Sequence, residues 1–223
     1  MQRDRIEAIL QSLRVAYPGA RSRLKYSNAF ELLVAAILSA QTTDDQVNKV
    51  TVELFRRYPT PAALAAADPE EVAACIKSLG LYRMKAAHLV AACRNLVEKY
   101  GGRVPDNLEE LLDLPGVGRK VANVVLSNAY GRDVIAVDTH VFRVANRLGL
   151  ACAGNVRETE KQLMAVLPPG SRGEAHHLLI YHGRAVCRAR RPGCRECVVS
   201  SYCENKTYNY SDEDHNSRGK ASQ

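Results

Sequence analysis

At 223 residues and 46% hydrophobic content, the chain is long enough for a real core, in one large domain or two small ones. No apolar run approaches the ~18 residues of a membrane span, and Met1–Val15 carries no signal-peptide pattern. Those absences exclude an integral membrane protein and predict a soluble, cytoplasmic one. A net charge of +7 favours an anionic partner, and seven cysteines, an odd count with four clustered, favour a metal centre over disulfides.

Helical spacing and punctuation recur along the chain. Ile6, Ile9, Leu10 and Leu13 predict an amphipathic helix ending near Tyr17-Pro18-Gly19. Phe30, Leu33, Val34, Ile37 and Leu38 predict a second. Val47, Val50 and Leu54 predict a third, with Asp44 in its first turn. Between these two, Ser39-Ala40-Gln41-Thr42-Thr43-Asp44 reads as a capped loop. Thr60-Pro61 and Asp68-Pro69 each read as an N-cap followed by proline at the first helical position. Cys93 shares an apolar face with Leu89, Leu96 and Val97, so it reads as a small buried hydrophobe. Gly80, Gly101, Gly131, Gly149 and Gly183 fall where helix C-terminal stops are wanted. Val134–Val137 is the sole strand-like run and is too short for a sheet, so the fold class is all-α. No period of about 20–50 residues repeats, which excludes a solenoid.

The stretch from Leu111 to Arg147 concentrates the chemistry. Leu108, Leu111 and Leu112 lead in as a short helix, Pro115 ends it, and Val121, Val124 and Val125 form the buried stripe of the next. The turn between them is Leu114-Pro115-Gly116-Val117-Gly118. Its glycines allow close backbone approach, and the N–H groups at a helix start can hold a phosphate oxygen without reading sequence. The same five residues would also serve an ordinary tight turn. Lys120 sits just inside the second helix. A lysine amine attacks carbon only when neutral, and a helix N-terminus and partial burial both favour that form; a solvated lysine making a salt contact is the plainer reading. Asp138, in Val137-Asp138-Thr139-His140-Val141, stands where an N-cap belongs, and capping by itself accounts for it. A catalytic role is compatible with the cap.

Near the C-terminal end, Cys187, Cys194, Cys197 and Cys203 give C-x6-C-x2-C-x5-C. Four thiolates so spaced suit zinc or an iron–sulfur cluster. Only one pair is as close as a zinc knuckle, which leans towards the larger cluster. Arg184, Arg188, Arg190, Arg191 and Arg195 crowd the same segment.

LPGVGRKVANVVL with VDTHVFRVANRLG resembles the signature of the helix-hairpin-helix DNA glycosylases, and the cysteine spacing resembles the iron–sulfur loop of the endonuclease III family. The resemblance runs from about Arg5 to Lys206. It implies two helical domains with a DNA-binding groove between them. One is a helical barrel over residues 21–132 with the hairpin at about 108–128; the other is an iron–sulfur domain from residues 1–20 and 133–207. The polar tail at 208–223 is expected to be disordered. The implied activity is that of a bifunctional DNA glycosylase and abasic-site lyase. It would act as a monomer on duplex DNA containing oxidised pyrimidines or abasic sites.

The resemblance makes Lys120 the nucleophile and Asp138 its charge partner, facing each other across the groove. Cys187, Cys194, Cys197 and Cys203 become ligands of a [4Fe-4S] cluster. Gln41 fills the hole left by a flipped nucleotide, and Leu81 wedges the opposite strand. Gly116, Val117, Gly118, Arg119, Arg143, Arg184 and Arg191 complete the expected DNA contacts. Two alternatives stand beside this reading: a monofunctional adenine glycosylase, which usually lacks this lysine, and a non-catalytic DNA-binding iron–sulfur protein.

Overall fold

The computed structural model describes residues 2–205, so the expectation for 208–223 lies outside the described residues. Eleven α-helices and two 3-10 turns make up the regular structure there, with no strand among the described residues. Backbone contacts divide the chain into two units. One takes Ser22–Ala136; the other takes the described residues within Met1–Arg21 and Val137–Gln223.

In chain order α1 is Gln2–Ala16, α2 Ala29–Leu38, α3 Asp44–Arg57, α4 Pro61–Ala65, α5 Pro69–Cys75 and α6 Tyr82–Tyr100. Then come α7 Leu108–Leu112, α8 Arg119–Tyr130, α9 Thr139–Leu148, α10 Val156–Val166 and α11 Arg172–Ala185. Most starts are set by a side chain that accepts a first-turn amide: Asn28, Thr43, Thr60, Asp68, Asn107, Asp138 and Asn155. Each such cap contributes about 1 kcal/mol to its helix.

In the unit Ser22–Ala136, α2 is apolar almost all round. Phe30 and every residue from Leu32 to Leu38 are buried, as suits a helix with neighbours on several sides. It packs against α3, α6 and α8, while α6 also carries α4 and α5, and α7 lies on α8. In the other unit α9 packs between α10 and α11, and α11 also meets α1. Ile6, Ile9, Leu10 and Leu13 are the buried face of α1.

Gly101, Gly131 and Gly149 end α6, α8 and α9 in the left-handed conformation. Two other glycines expected as stops do different work. Helix α5 ends at Cys75, five residues before Gly80, and the left-handed residue there is Leu81. Gly183 lies inside α11 and is buried. An added Cβ there would stand 3.1 Å from His140 Cβ and 3.1 Å from Val144 Cγ2, so the glycine lets α9 and α11 approach closely. Val97 is 40% exposed and falls off the buried face of α6, whereas Cys93, Leu89 and Leu96 lie on it. Burial pushes the Cys93 thiol up to about 12, as expected of an inert core cysteine.

Buried Asn123 on α8 donates from Nδ2 to the carbonyl of Ile135 at 3.0 Å. That bond fixes the extended approach to Asp138, because Ile135 is itself fully buried and its carbonyl needs a donor. Asn123→Ala should lower stability to urea by about 1–3 kcal/mol, the penalty for an orphaned buried carbonyl. A loss below about 0.5 kcal/mol would show that this carbonyl is satisfied without Asn123.

Candidate active site and nucleic-acid interface

The hairpin is built by two anchors and a turn. Leu114 and Val117 are buried at 2% and 7% exposure, and Val117 N–H donates to Leu114 O at 3.1 Å. Between them Gly116 has φ +78, a conformation that L side chains rarely adopt. An added Cβ would also lie 2.9 Å from His88 Cβ, beneath the turn. Gly118 caps α8 with no side-chain bond, so the first-turn amides are presented at the turn. Gly116, Gly118, Arg119 and Lys120 are exposed. Val117, expected as a DNA contact, instead anchors the turn: its side chain is buried and its N–H is given to Leu114 O.

Lys120 is the second residue of α8 and is exposed, so of the two features that would favour its neutral form only the helix N-terminus is present. The cause is geometric: the buried face of α8 is formed by Ala122, Asn123, Val125 and Leu126, and Lys120 falls outside it.

Asp138 is half-buried and caps α9. Its Oδ1 accepts from His140 N–H and Val141 N–H, both at 2.8 Å, which leaves Oδ2 outside the cap. His140 is held towards its neutral form, mainly by burial. The nearby Arg143 and Arg184 add to that effect and Asp138 opposes it. Its Nδ1 lies 3.1 Å from Arg143 Nη2.

Gln41 and Leu81 are both exposed and both left-handed, at φ 54 and φ 58. Leu81 begins α6 without a side-chain cap and keeps 55% of its surface in solvent. The basic candidates separate. Arg184 and Arg191 are exposed, and Arg191 has φ 48. Arg143 instead reaches inward: Nε donates to Cys187 O at 3.0 Å and Nη2 to Gly183 O at 2.9 Å.

Cys187, Cys194, Cys197 and Cys203 line one cavity of ≈ 30 Å³, with Arg147, Leu148 and His182 among its walls. Among the described residues no group of three or more His, Cys, Asp or Glu side chains closes on a single metal ion. The four thiols surround a shared space instead. Burial raises the pKa of Cys197 and Cys203, and the neighbouring thiols add to it. His182 is buried, with its pKa lowered to about 4 by that burial. It stands between Tyr17 Oη at 3.0 Å and Cys197 Sγ at 3.4 Å. Arg147 donates to Arg188 O at 2.7 Å and Ala189 O at 3.2 Å, and lies 3.5 Å from Cys187 Sγ. Soft thiol donors round one cavity fit a multi-iron cluster.

Residues 34–169 match the family described as HhH-GPD superfamily base excision DNA repair protein. Endonuclease III of Haemophilus influenzae is 46% identical over 202 residues, covering 91% of this chain and 95% of that protein. The Synechocystis sp. endonuclease III is 48% identical over 203 residues, covering 91% and 93%. The chain belongs to the endonuclease III family. A solved structure from that family, a trapped endonuclease III–DNA covalent intermediate, superposes with a TM-score of 0.86 at 44% identity, covering 92% of this chain and 97% of that one.

Several residues that bond to these segments belong to no motif. Lys85 is 3% exposed and bonds to Leu38 O and Thr42 Oγ1. Its signal was present: it shares the buried stripe of α6 with Leu89, Ala92 and Leu96, an odd place for a lysine. Asn123 carried the same signal on the buried face of α8, whereas Arg147 and His182 work through backbone carbonyls or a thiol distant in sequence. Gly116→Ala combines the left-handed strain with the His88 contact. It should destabilise the protein by about 1–3 kcal/mol in urea unfolding and weaken binding to undamaged duplex. Unchanged stability and affinity together would place the phosphate-binding turn elsewhere.

Proposed function

We propose that this chain is a bifunctional DNA glycosylase and abasic-site lyase of base excision repair, acting as a monomer on oxidised pyrimidines in duplex DNA in the cytoplasm. The observation that carries the reading is an exposed lysine at the start of the hairpin's second helix. It stands in a chain 44% identical to a protein trapped covalently on DNA. A covalent intermediate needs a nucleophile, and Lys120 is the candidate.

The damaged nucleotide must leave the stack before its C1′ can be reached. Gln41 enters the vacated space and Leu81 wedges the facing strand; an exposed apolar side chain on a fixed turn is suited to separating base steps. The hairpin amides at Gly116 and Gly118, with Arg119, Arg184 and Arg191, hold phosphates on either side.

The neutral amine of Lys120 then forms a bond to C1′ as the C1′–N bond to the base breaks, and the base leaves with the electron pair and takes up a proton. Asp138 keeps Oδ2 outside its cap, so its carboxylate stabilises the positive charge that develops on the sugar. Loss of the amine proton and opening of the ring give a Schiff base on Lys120. Removal of a C2′ proton expels the 3′ phosphate by β-elimination and breaks the strand.

Cys187, Cys194, Cys197 and Cys203 are the residues that would hold a [4Fe-4S] cluster. Bound there, it would cross-link the loop and add its binding free energy to folding. Arg143 and Arg147 shape the same loop by their carbonyl bonds, so that Arg184 and Arg191 meet phosphate in a fixed arrangement.

The division of labour predicts unequal losses. Lys120→Gln should abolish base excision and strand cleavage while damaged-DNA binding survives. Asp138→Asn should slow excision of thymine glycol by about 10²–10³-fold, the scale for removing one transition-state partner, yet keep a larger share of lyase activity on a preformed abasic site, where no base departs. Single-turnover kinetics of both variants on the two substrates measure this. Equal losses for Asp138→Asn on both would end the division, and wild-type rates on both would reduce Asp138 to a helix cap.

A further inference from the structure

Lys85 is a buried charge that the proposed chemistry does not use. Its ammonium donates to Leu38 O at 2.9 Å and to Thr42 Oγ1 at 2.8 Å. Burial pushes its pKa down, and no carboxylate acts on it among the described residues. Taking an ammonium out of water without a counter-charge is strongly unfavourable, so the site must supply well-placed acceptors. It supplies two. Leu38 is the last residue of α2, where the carbonyl end of a helix favours a cation. Thr42 directly follows Gln41.

The backbone of Lys85 makes the other half of the connection. Its N–H donates to Leu81 O at 3.0 Å in the first turn of α6. One residue therefore holds Leu81 by its main chain and the Gln41 loop by its side chain. Both held residues adopt the left-handed conformation, at φ 54 and φ 58, although neither is glycine. Such residues persist only where their surroundings over-determine them, and here the lysine bonds to the segments that carry both.

We propose that Lys85 is a positioning residue that sets Gln41 and Leu81 in one fixed arrangement for opening the duplex, so that nucleotide extrusion, rather than bond breaking, depends on it. The inference rests on the strand-opening roles given to Gln41 and Leu81 above. A methionine at 85 would fill a similar volume but donate nothing, releasing the Gln41 loop while leaving Lys120 and Asp138 untouched.

The test uses the full-length protein and two substrates: thymine glycol in a matched duplex with 2-aminopurine beside it, and the same lesion in an unpaired bubble. Lys85→Met should slow both the 2-aminopurine fluorescence rise and excision from duplex by about tenfold or more, since displacements near 1 Å can lower rates by about 10²-fold. Excision from the bubble, where no stack has to be opened, should stay within about twofold of wild type. In a Gln41→Ala, Leu81→Ala background, Lys85→Met should add less than about twofold, because residues acting through one another are not additive. Thr42→Val, which removes a single acceptor, should show the same duplex-only defect and serves as the test if Lys85→Met does not fold. Equal slowing on duplex and bubble, full additivity in the double background, or a Thr42→Val protein with wild-type duplex rates would each overturn the proposal. If the Gln41→Ala, Leu81→Ala protein itself opens duplex normally, the strand-opening reading fails and this inference falls with it. If that protein is defective while Lys85→Met is not, the inference alone fails.

Discussion

Long side-chain donors that reach the backbone carbonyls of loops hold the functional parts of this chain in place. A loop that meets a ligand has to keep its side chains outward, yet its carbonyls still need partners. Lys85 supplies one to Leu38 O, and Asn123 supplies one to Ile135 O on the approach to Asp138. Arg143 reaches Cys187 O and Gly183 O, and Arg147 reaches Arg188 O and Ala189 O in the cysteine loop. Arg5 on α1 reaches Leu148 O and Tyr202 O. Each bond joins segments far apart in sequence, so it fixes a loop more firmly than a local turn would. Cationic donors make such bonds stronger than neutral ones.

Backbone strain is concentrated where those donors work. Gln41, Leu81 and Arg191 are the non-glycine residues with positive φ among the described residues. All three are exposed and all three are proposed to touch DNA. Left-handed geometry disfavours an L-residue by about 1–2 kcal/mol, a sum that must be offset by the packing around it. The hairpin solves the same problem differently. Gly116 needs no support in its left-handed state, so the turn is bare enough to approach a phosphate while His88 closes its underside.

How much of this the sequence disclosed follows the range of the interactions. The caps at Thr60, Asp68 and Asp138 were legible because a cap and its amide lie within three residues. The α7–α8 hairpin was legible from proline and glycine and the all-α class from periodicity, but of the expected stripe only Val125 is buried, Val121 and Val124 flanking a face made with Ala122, Asn123 and Leu126. The cysteines were legible as a group, since one cavity gathers residues close in sequence. Gly183 misled because its need is for space beside His140 and Val144, a tertiary reason, and a stop signal looks the same. Gly80 misled because the turn places its left-handed residue one position later, at Leu81, where propensity argues against it. Lys85 and Asn123 each sit on a buried helix face, an odd place for a polar side chain, but the carbonyls that explain them lie 47 and 12 residues away.

Lys120 is the residue proposed to bond to the sugar, and borohydride trapping tests that most directly. The full-length protein is incubated with an abasic-site duplex and sodium borohydride, digested, and the DNA-linked peptide sequenced by mass spectrometry. The expected result is a single reduced adduct on Lys120. An adduct on another lysine, or on the N-terminal amine, would contradict it, and so would complete absence of an adduct from protein that still binds the abasic site.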